Sequence, residues 1–208
     1  MTLNAKTLFD PSLEKDNCGF GLIAQRNGKR SRKLVKKSIL GLTSMTHRGA
    51  IGADGKTGDG CGLLFDLNHS FFKLKVSGEL DVELPDFFAI AQLFHKNDID
   101  FYYSSIRKFL NSQDLDIAVT RSVPVNNEVL GKIARQNLPN ISQVFITSKN
   151  TNLNKERFEA CLLQARKFIE EKFDNDEEFY VCSMSTQTIV YKGLMLPSAI
   201  DQFYLDLK

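Results

Sequence analysis

The chain has 208 residues, of which 42% are hydrophobic and 25% are charged, close to the averages of soluble globular proteins. Its 27 Lys and Arg against 25 Asp and Glu leave a net charge of +2, which excludes the strong basic field typical of nucleic-acid binding. No segment approaches the roughly 20 consecutive apolar residues of a membrane span, and residues 1–17 lack the apolar core of a signal peptide. We therefore expect a cytoplasmic protein of one domain, or one domain with attachments, that binds neither nucleic acid nor membrane.

The four cysteines lie far apart along the chain, at Cys18, Cys61, Cys161 and Cys182. Neither they nor the histidines show the close spacing of metal ligands, so no metal site is predicted. We expect reduced thiols, most of them buried as small hydrophobic side chains.

The first predicted elements follow residue 17. Residues 18–25 (CGFGLIAQ) are short and apolar and precede an Asn27-Gly28 turn signal, which predicts a buried strand entering a hairpin-like bend. Apolar residues at helical spacing then predict an amphipathic helix over residues 32–46. Seven of the 13 glycines lie in residues 41–62, which predicts a loop where the main chain takes unusual conformations or approaches something closely.

Beyond this loop, strands alternate with long helical patterns. Helices are predicted over residues 98–110, with Asn97 as the N-terminal cap, and over residues 154–173. Strands are predicted at residues 61–67, 87–94, 115–123, 141–147, 178–184 and 187–191. This alternation favours a layered domain in which helices cover sheets, although periodicity alone does not give the strand order.

Residues 50–57 (AIGADGKT) fit a relaxed phosphate-loop pattern with Ala in place of the first Gly. A phosphate-loop nucleotide-binding protein using Ala50–Thr57 is therefore an alternative function. That mechanism requires a strand before the loop and a helix that begins at the Lys-Thr pair. The sequence predicts a helix before Ala50 and a further glycine-rich run after Thr57, which disfavours nucleotide binding.

Four segments, in chain order, carry a resemblance to a known family. They are DNCGFGLIA (residues 16–24), HRGAIGADGKTGDGCGLLF (47–65), EFYVCSMS (178–185) and YKGLMLPSAIDQFYLDL (191–207). Together they resemble the class II glutamine amidotransferase domain that begins the large subunit of glutamate synthase. The resemblance implies an N-terminal-nucleophile hydrolase fold, an α+β sandwich of antiparallel sheets between helices (αββα). It also implies a propeptide at residues 1–17 and a partial amidotransferase domain at residues 18–208.

By this resemblance Cys18 becomes the first residue after cleavage, and its thiolate attacks the carboxamide of glutamine. Its own α-amine serves as the base, since an α-amine has a pKa of about 7.7–8.0, near working pH. Arg48 supports the nucleophile. Asp54, Thr57 and Asp59, together with Gly49, are candidates for substrate binding, although Asp and Gly also favour turns without any function.

The resemblance implies FMN and an iron–sulfur cluster in the full-length enzyme, and no cofactor in this chain. The implied partners are glutamine, the remaining synthase domains of the same polypeptide and a small NADPH-oxidising subunit. Family segments resembling HxRFSTN and HNGEIN, which hold the substrate carboxylate and the oxyanion, do not occur in these 208 residues. We therefore expect a C-terminally incomplete domain with little or no glutaminase activity alone, and a non-catalytic degenerate fragment is a further alternative.

Overall fold

The computed structural model describes residues 19–150 and 153–208, in which helices alternate with strands. The strands are β1 (Cys61–Asp66), β2 (Ala89–His95), β3 (Leu115–Ser122), β4 (Asn140–Ser148), β5 (Phe179–Ser185) and β6 (Thr188–Gly193). The helices are α1 (Arg32–Thr43), α2 (His69–Leu80), α3 (Ile99–Ser112), α4 (Lys132–Gln136), α5 (Lys155–Lys172) and α6 (Ile200–Phe203). Short 3₁₀ helices lie at Thr46–Arg48, Asn127–Val129, Pro197–Ala199 and Leu205–Leu207.

The described strands form two antiparallel sheets. One has four strands in the order β3-β4-β2-β5, and the other pairs β1 with β6. Helices α3 and α5 pack on the four-stranded sheet, α1 packs on β1, and β5 lies against β6. The layers therefore run helix, sheet, sheet, helix, which confirms the predicted α+β architecture.

Apolar side chains fill two separate regions of the core. An outer cluster joins α3 and α5 to one face of the four-stranded sheet and includes Tyr102, Phe158 and Leu162. An inner cluster lies on the opposite face and brings together residues of both sheets, among them Phe145 and Tyr191. The alternation of side chains along each strand divides β2 and β4 between the two clusters.

A row of polar side chains crosses the inner face of the four-stranded sheet. Arg121 Nη1 donates to Gln143 Oε1 at 3.0 Å, and Gln143 Nε2 donates to Gln92 Oε1 at 3.2 Å. Gln92 Nε2 then donates to the carbonyl of Val190 on β6 at 2.7 Å. Since these side chains are buried, their hydrogen bonds remove the cost of unpaired polar groups and join the two sheets.

The strand predicted over residues 18–25 is wrong for the part that the structure describes; Cys18 lies outside the described residues. Residues 19–25 form no strand, and the side chains of Phe20 and Leu22 are 94% and 89% exposed. An apolar run becomes a strand only where another strand pairs with it, and none of the described strands pairs with this segment. The predicted turn does form, with Gly28 at φ +67° and its amide donating to Gln25 O at 2.9 Å.

Two helix ends differ from the predictions. Asp98, rather than Asn97, caps α3, with its carboxylate accepting from the amide of Asp100 at 3.2 Å. Helix α1 ends at Thr43 instead of continuing to residue 46, and the chain then turns into the 3₁₀ helix Thr46–Arg48. The 3₁₀ helix leads into the glycine-rich loop, whose Gly58 lies close to Met195 on the segment that follows β6.

Candidate active site

A cavity of about 610 Å³ lies between the glycine-rich loop and the chain that follows β6. The end of α1 and the start of β1 contribute to its lining. Its walls come from both sides of the loop and from the Met195–Pro197 segment, and Gly19 also lines it. The residues of the loop that line the cavity are Gly49, Ala50, Gly58, Asp59 and Gly60.

The loop folds back on itself as a narrow hairpin. Ile51 and Gly58 form an antiparallel bridge, and the amide of Gly52 donates to Thr57 O at 2.7 Å. At its neck, Asp59 Oδ2 accepts from the amide of Ala50 at 2.7 Å. A phosphate loop requires a strand before it and a helix after it. Here a 3₁₀ helix precedes the hairpin and strand β1 follows it, so this requirement is not met.

Asp54 and Thr57 connect the tip of the hairpin to α4. The Thr57 hydroxyl donates to Asp54 Oδ2 at 2.7 Å, and Asp54 Oδ1 accepts from the Thr57 amide at 2.8 Å. The amide of Ile133 donates to Asp54 Oδ2 at 3.2 Å, and that of Ala134 donates to Thr57 Oγ1 at 3.3 Å. The hydrogen bond from the Thr57 hydroxyl, followed by those from the Thr57 and Lys56 amides, holds the pKa of the Asp54 carboxyl well below its ordinary value.

Close main-chain approaches fix the distance between the hairpin and the opposite wall of the cavity. A Cβ atom added at Gly58 would lie 2.9 Å from Met195 O, nearer than real Cβ contacts allow. Glycine at this position therefore permits the hairpin to touch the segment after β6. The width of the cavity depends on that contact.

The predicted site residues divide into three groups. Gly49 and Asp59 line the cavity, whereas Asp54 and Thr57 do not line it and instead form hydrogen bonds with α4. Arg48 ends the 3₁₀ helix before Gly49, and the role predicted for its side chain stays a prediction. Cys18 lies outside the described residues, although the next residue, Gly19, lines the cavity.

Cys61 also lines the cavity, on the first residue of β1. Burial raises the pKa of its thiol to about 11, so at neutral pH it is protonated and a poor nucleophile. The partial burial of Cys61 agrees with the prediction that most of the thiols are packed as small hydrophobic side chains.

Gly131, Ile133 and Ala134 contribute to the arrangement and were not predicted from the sequence. Gly131 precedes α4, and Ile133 and Ala134 lie 79 and 77 residues beyond Asp54 and Thr57, in a helix of five residues that is too short to show a periodic pattern. The only local feature of the sequence that could have indicated this contact is Gly131, since a glycine permits close approach of another segment.

The amino-acid sequence of this chain matches a known family over most of its length. Residues 18–208 match the family described as class II glutamine amidotransferases. The chain belongs to this family. The match begins at Cys18, the residue predicted to become the nucleophile of the amidotransferase domain.

Several relatives of this amidotransferase domain are glutamate synthases. A ferredoxin-dependent glutamate synthase of Pyropia yezoensis is 38% identical over 98% of this chain, and the large chain of an NADPH glutamate synthase of Azospirillum brasilense is 35% identical over 99%. An NADH glutamate synthase of Saccharomyces cerevisiae is 33% identical over 96% of the chain. The chain spans 14%, 14% and 10% of the lengths of these three relatives, respectively. Because the three are named for different electron donors, likeness in this amidotransferase domain does not discriminate between donors.

Two further properties concern the described part of the amidotransferase domain. Within residues 19–150 and 153–208, no helix combines the length and apolar character that crossing a membrane requires. The same residues contain no group of three or more His, Cys, Asp or Glu side chains placed to hold a metal ion.

Proposed function

We propose that this domain hydrolyses glutamine to glutamate and ammonia, with Cys18 as the nucleophile. The observation that carries the proposal is the coincidence of two features at one point of the chain. The family match begins at Cys18, and Gly19, to which Cys18 is bonded, lines the cavity beside the glycine-rich hairpin. A cavity of about 610 Å³ is large enough for an amino acid, since small-molecule pockets begin at about 300 Å³.

The chemistry requires only a thiol, an amine and water. The α-amine of Cys18 takes the thiol proton, and the thiolate adds to the side-chain carboxamide carbon of glutamine. The resulting ammonium gives this proton to the departing nitrogen, so that ammonia leaves and a glutamyl thioester remains. Water then attacks the thioester, the carbon–sulfur bond breaks, and glutamate and the free thiol are formed.

This use of the α-amine requires that residues 1–17 be removed, because an amide nitrogen is not a base at neutral pH. We therefore propose cleavage between Asn17 and Cys18. The start of the family match at residue 18 supports this boundary. The mature domain would then begin with its own nucleophile and base on one residue.

Other residues of the loop are proposed to bind the substrate or to support the nucleophile. Asp59 is exposed and lines the cavity, and its carboxylate suits the α-ammonium group of glutamine. Gly49, at the end of the 3₁₀ helix, leaves room for the substrate, and Arg48 precedes it. We propose that Arg48 acts beside Cys18 as a supporting cation.

We further propose that the domain works within a glutamate synthase that consumes the ammonia. FMN, the iron–sulfur cluster and a small NADPH-oxidising subunit would belong to that larger enzyme, whose relatives are seven to ten times as long as the part matched here. Glutamine hydrolysis itself needs none of them. Because segments for the substrate carboxylate and the oxyanion do not occur in these 208 residues, we expect this sequence alone to be insufficient for rapid hydrolysis.

Covalent labelling tests the proposed nucleophile in the protein as its gene encodes it. A diazo-ketone analogue of glutamine should add to Cys18, with glutamine protecting it, and peptide mass spectrometry should find the label on that residue. Cys18→Ala should abolish labelling and ammonia release. Cys161→Ala is the matched control, because Cys161 is buried in the outer cluster away from the cavity and its loss should leave labelling unchanged.

Two results would contradict the proposal. One is labelling that persists in Cys18→Ala, which would place the nucleophile elsewhere. The other is ATP binding that is lost in Lys56→Ala, which would favour the phosphate-loop alternative. The proposed cleavage is checked by intact mass, and an active preparation that retains residues 1–17 would rule out the α-amine as the base.

A further inference from the structure

Helix α4 begins without a side-chain cap of its own. Its N-cap residue is Gly131, and no side chain of the adjoining chain accepts from the first amides of the helix. The first amides of any helix lack partners within the helix and are usually satisfied by a side chain at the N-cap. Here the hairpin supplies the acceptors from 79 and 77 residues away, through Asp54 Oδ2 and Thr57 Oγ1.

Gly131 is what allows this contact. A Cβ atom added at Gly131 would lie 2.6 Å from the Thr57 amide nitrogen and closer still to Thr57 Oγ1. Any larger residue would therefore push the hairpin away from α4. Because Gly131 has no side chain, Asp54 and Thr57 can reach the first amides of α4 and cap the helix in its place.

The side-chain oxygens of Asp54 and Thr57 are already engaged in this arrangement. Asp54 Oδ1 accepts from the amides of Lys56 and Thr57, and Oδ2 accepts from the Thr57 hydroxyl and from Ile133. The Thr57 hydroxyl donates to Asp54 and accepts from Ala134. Thr57 is also 9% exposed, so its hydroxyl faces the protein interior.

The neck of the same hairpin, including Ala50, Gly58 and Asp59, lines the cavity. The Ile51–Gly58 bridge and the Asp59–Ala50 hydrogen bond make the hairpin one unit, so its attachment at the tip fixes the position of the wall. We propose that Asp54 and Thr57 are positioning residues, which hold the hairpin on α4 and thereby set the cavity wall for glutamine. This inference rests on the proposed function, because it assigns the cavity to that substrate.

Amide hydrogen exchange tests the attachment independently of any activity. Thr57→Val keeps the shape of the side chain and removes both of its hydrogen bonds, while Thr57→Ser keeps them. In Thr57→Val, we expect peptides covering residues 50–60 and 131–136 to exchange at least about tenfold faster, the factor expected for loss of one hydrogen bond to a charged group. Thr57→Ser should exchange like the wild type. Unchanged exchange of both peptides in Thr57→Val would overturn the attachment.

Asp54→Asn gives a milder variant in case Thr57→Val does not fold. The asparagine keeps an oxygen for the Lys56 and Thr57 amides but turns an NH₂ group towards the Ile133 amide. The same two peptides should exchange faster. Asn154→Ala is the control for loss of any helix cap, because Asn154 caps α5 in the outer layer through the amide of Arg157 at 2.8 Å.

Labelling kinetics then test the role in substrate binding. We expect Thr57→Val and Gly131→Ala to raise the half-saturating concentration of the diazo-ketone analogue about tenfold. Alkylation of Cys18 by the small reagent iodoacetamide should be unchanged, and Asn154→Ala should behave as the wild type in both reactions. If the two peptides exchange faster but the half-saturating concentration of the analogue is unaltered, Asp54 and Thr57 only cap the helix. That result would overturn their positioning role. If the wild type itself is not labelled, the proposed function fails, and the exchange data alone decide whether the attachment exists.

Discussion

Arg121 and Asp206 form a bidentate ion pair in the protein interior. Arg121 Nη1 donates to Asp206 Oδ2 at 2.7 Å, and Nη2 donates to Oδ1 at 2.9 Å. The two side chains are 2% and 1% exposed. Because Arg121 lies on β3 and Asp206 lies in the 3₁₀ helix Leu205–Leu207, the pair attaches the end of the described chain to the four-stranded sheet.

Breaking this pair should be costly. Asp206→Asn removes a buried negative charge opposite Arg121, and we expect the free energy of unfolding to fall by about 3 kcal/mol, as for other broken buried pairs. Asp201→Asn is the same chemical change on neighbouring α6, where the carboxylate is partly exposed, and should change stability by less than about 0.5 kcal/mol. Urea denaturation measures both, and equal losses would show that the pair contributes nothing specific.

Glu79 should make stability depend on pH. Arg121 donates to both of its carboxylate oxygens, and this hydrogen bonding lowers the pKa of Glu79 from its ordinary value. Because the folded state favours the ionised form, the contribution is present above the unfolded pKa of about 4.3 and is lost as the pH falls through the lower folded value. The stability difference between wild type and Glu79→Gln should therefore be constant at neutral pH and shrink below about pH 4. A stability difference between wild type and Glu79→Gln that is the same at neutral pH and below about pH 4 would show that Glu79 does not cause the pH dependence.

Cys61 should be unreactive although it borders the cavity. With a thiol pKa of about 11, only about one molecule in a thousand carries the thiolate at pH 8, against about a quarter for an ordinary cysteine. In a time course of iodoacetamide alkylation followed by peptide mass spectrometry, Cys61 should remain unmodified long after an exposed cysteine has reacted. Alkylation at the rate of a free cysteine would show that the thiol is not buried in solution.

Two glycine substitutions should have opposite effects. A Cβ at Gly62 would lie 2.8 Å from Lys192 Cβ on the paired strand β6, so Gly62→Ala should destabilise the protein by about 1–3 kcal/mol through overpacking. Gly78 lies in α2, where an added Cβ would meet no atom within 4 Å apart from its chain neighbours and the helix backbone, and Gly78→Ala should stabilise by about 0.5–1 kcal/mol. Thermal unfolding compares them, and a shift of the same sign in both would contradict the prediction.

Periodicity predicted most of the regular elements to within a few residues. The α5 prediction over residues 154–173 is confirmed, with Asn154 as its cap, because five buried residues repeat along one face of this long helix. Helix α2 was not predicted. Its buried Phe72 and Val76 lie among exposed apolar residues such as Leu74, so that no face stands out in the sequence.

Long-range contacts account for what local patterns did not predict. Nothing in the sequence around Arg121 distinguishes it from a surface residue on a strand, since its partners lie 42 and 85 positions away at Glu79 and Asp206. The glycine-rich loop was predicted to approach another part of the structure closely, and its Gly58 lies close to Met195 beside the cavity. Its attachment to α4 depends on how two distant segments fold together, and the local spacing of residues does not contain that information.

The polar row on the inner face has a consequence for how the four-stranded sheet assembles. Gln92 is directly opposite Gln143 in the β2–β4 ladder, and Arg121 is directly opposite Gln143 in the β3–β4 ladder. A slip of one residue in either ladder would turn a polar side chain towards α3 and α5, among apolar residues that offer it no partner. A sheet with shifted strands therefore carries the free-energy cost of a buried polar group without a partner. The correct register avoids this cost, so the polar row favours it over registers shifted by one residue.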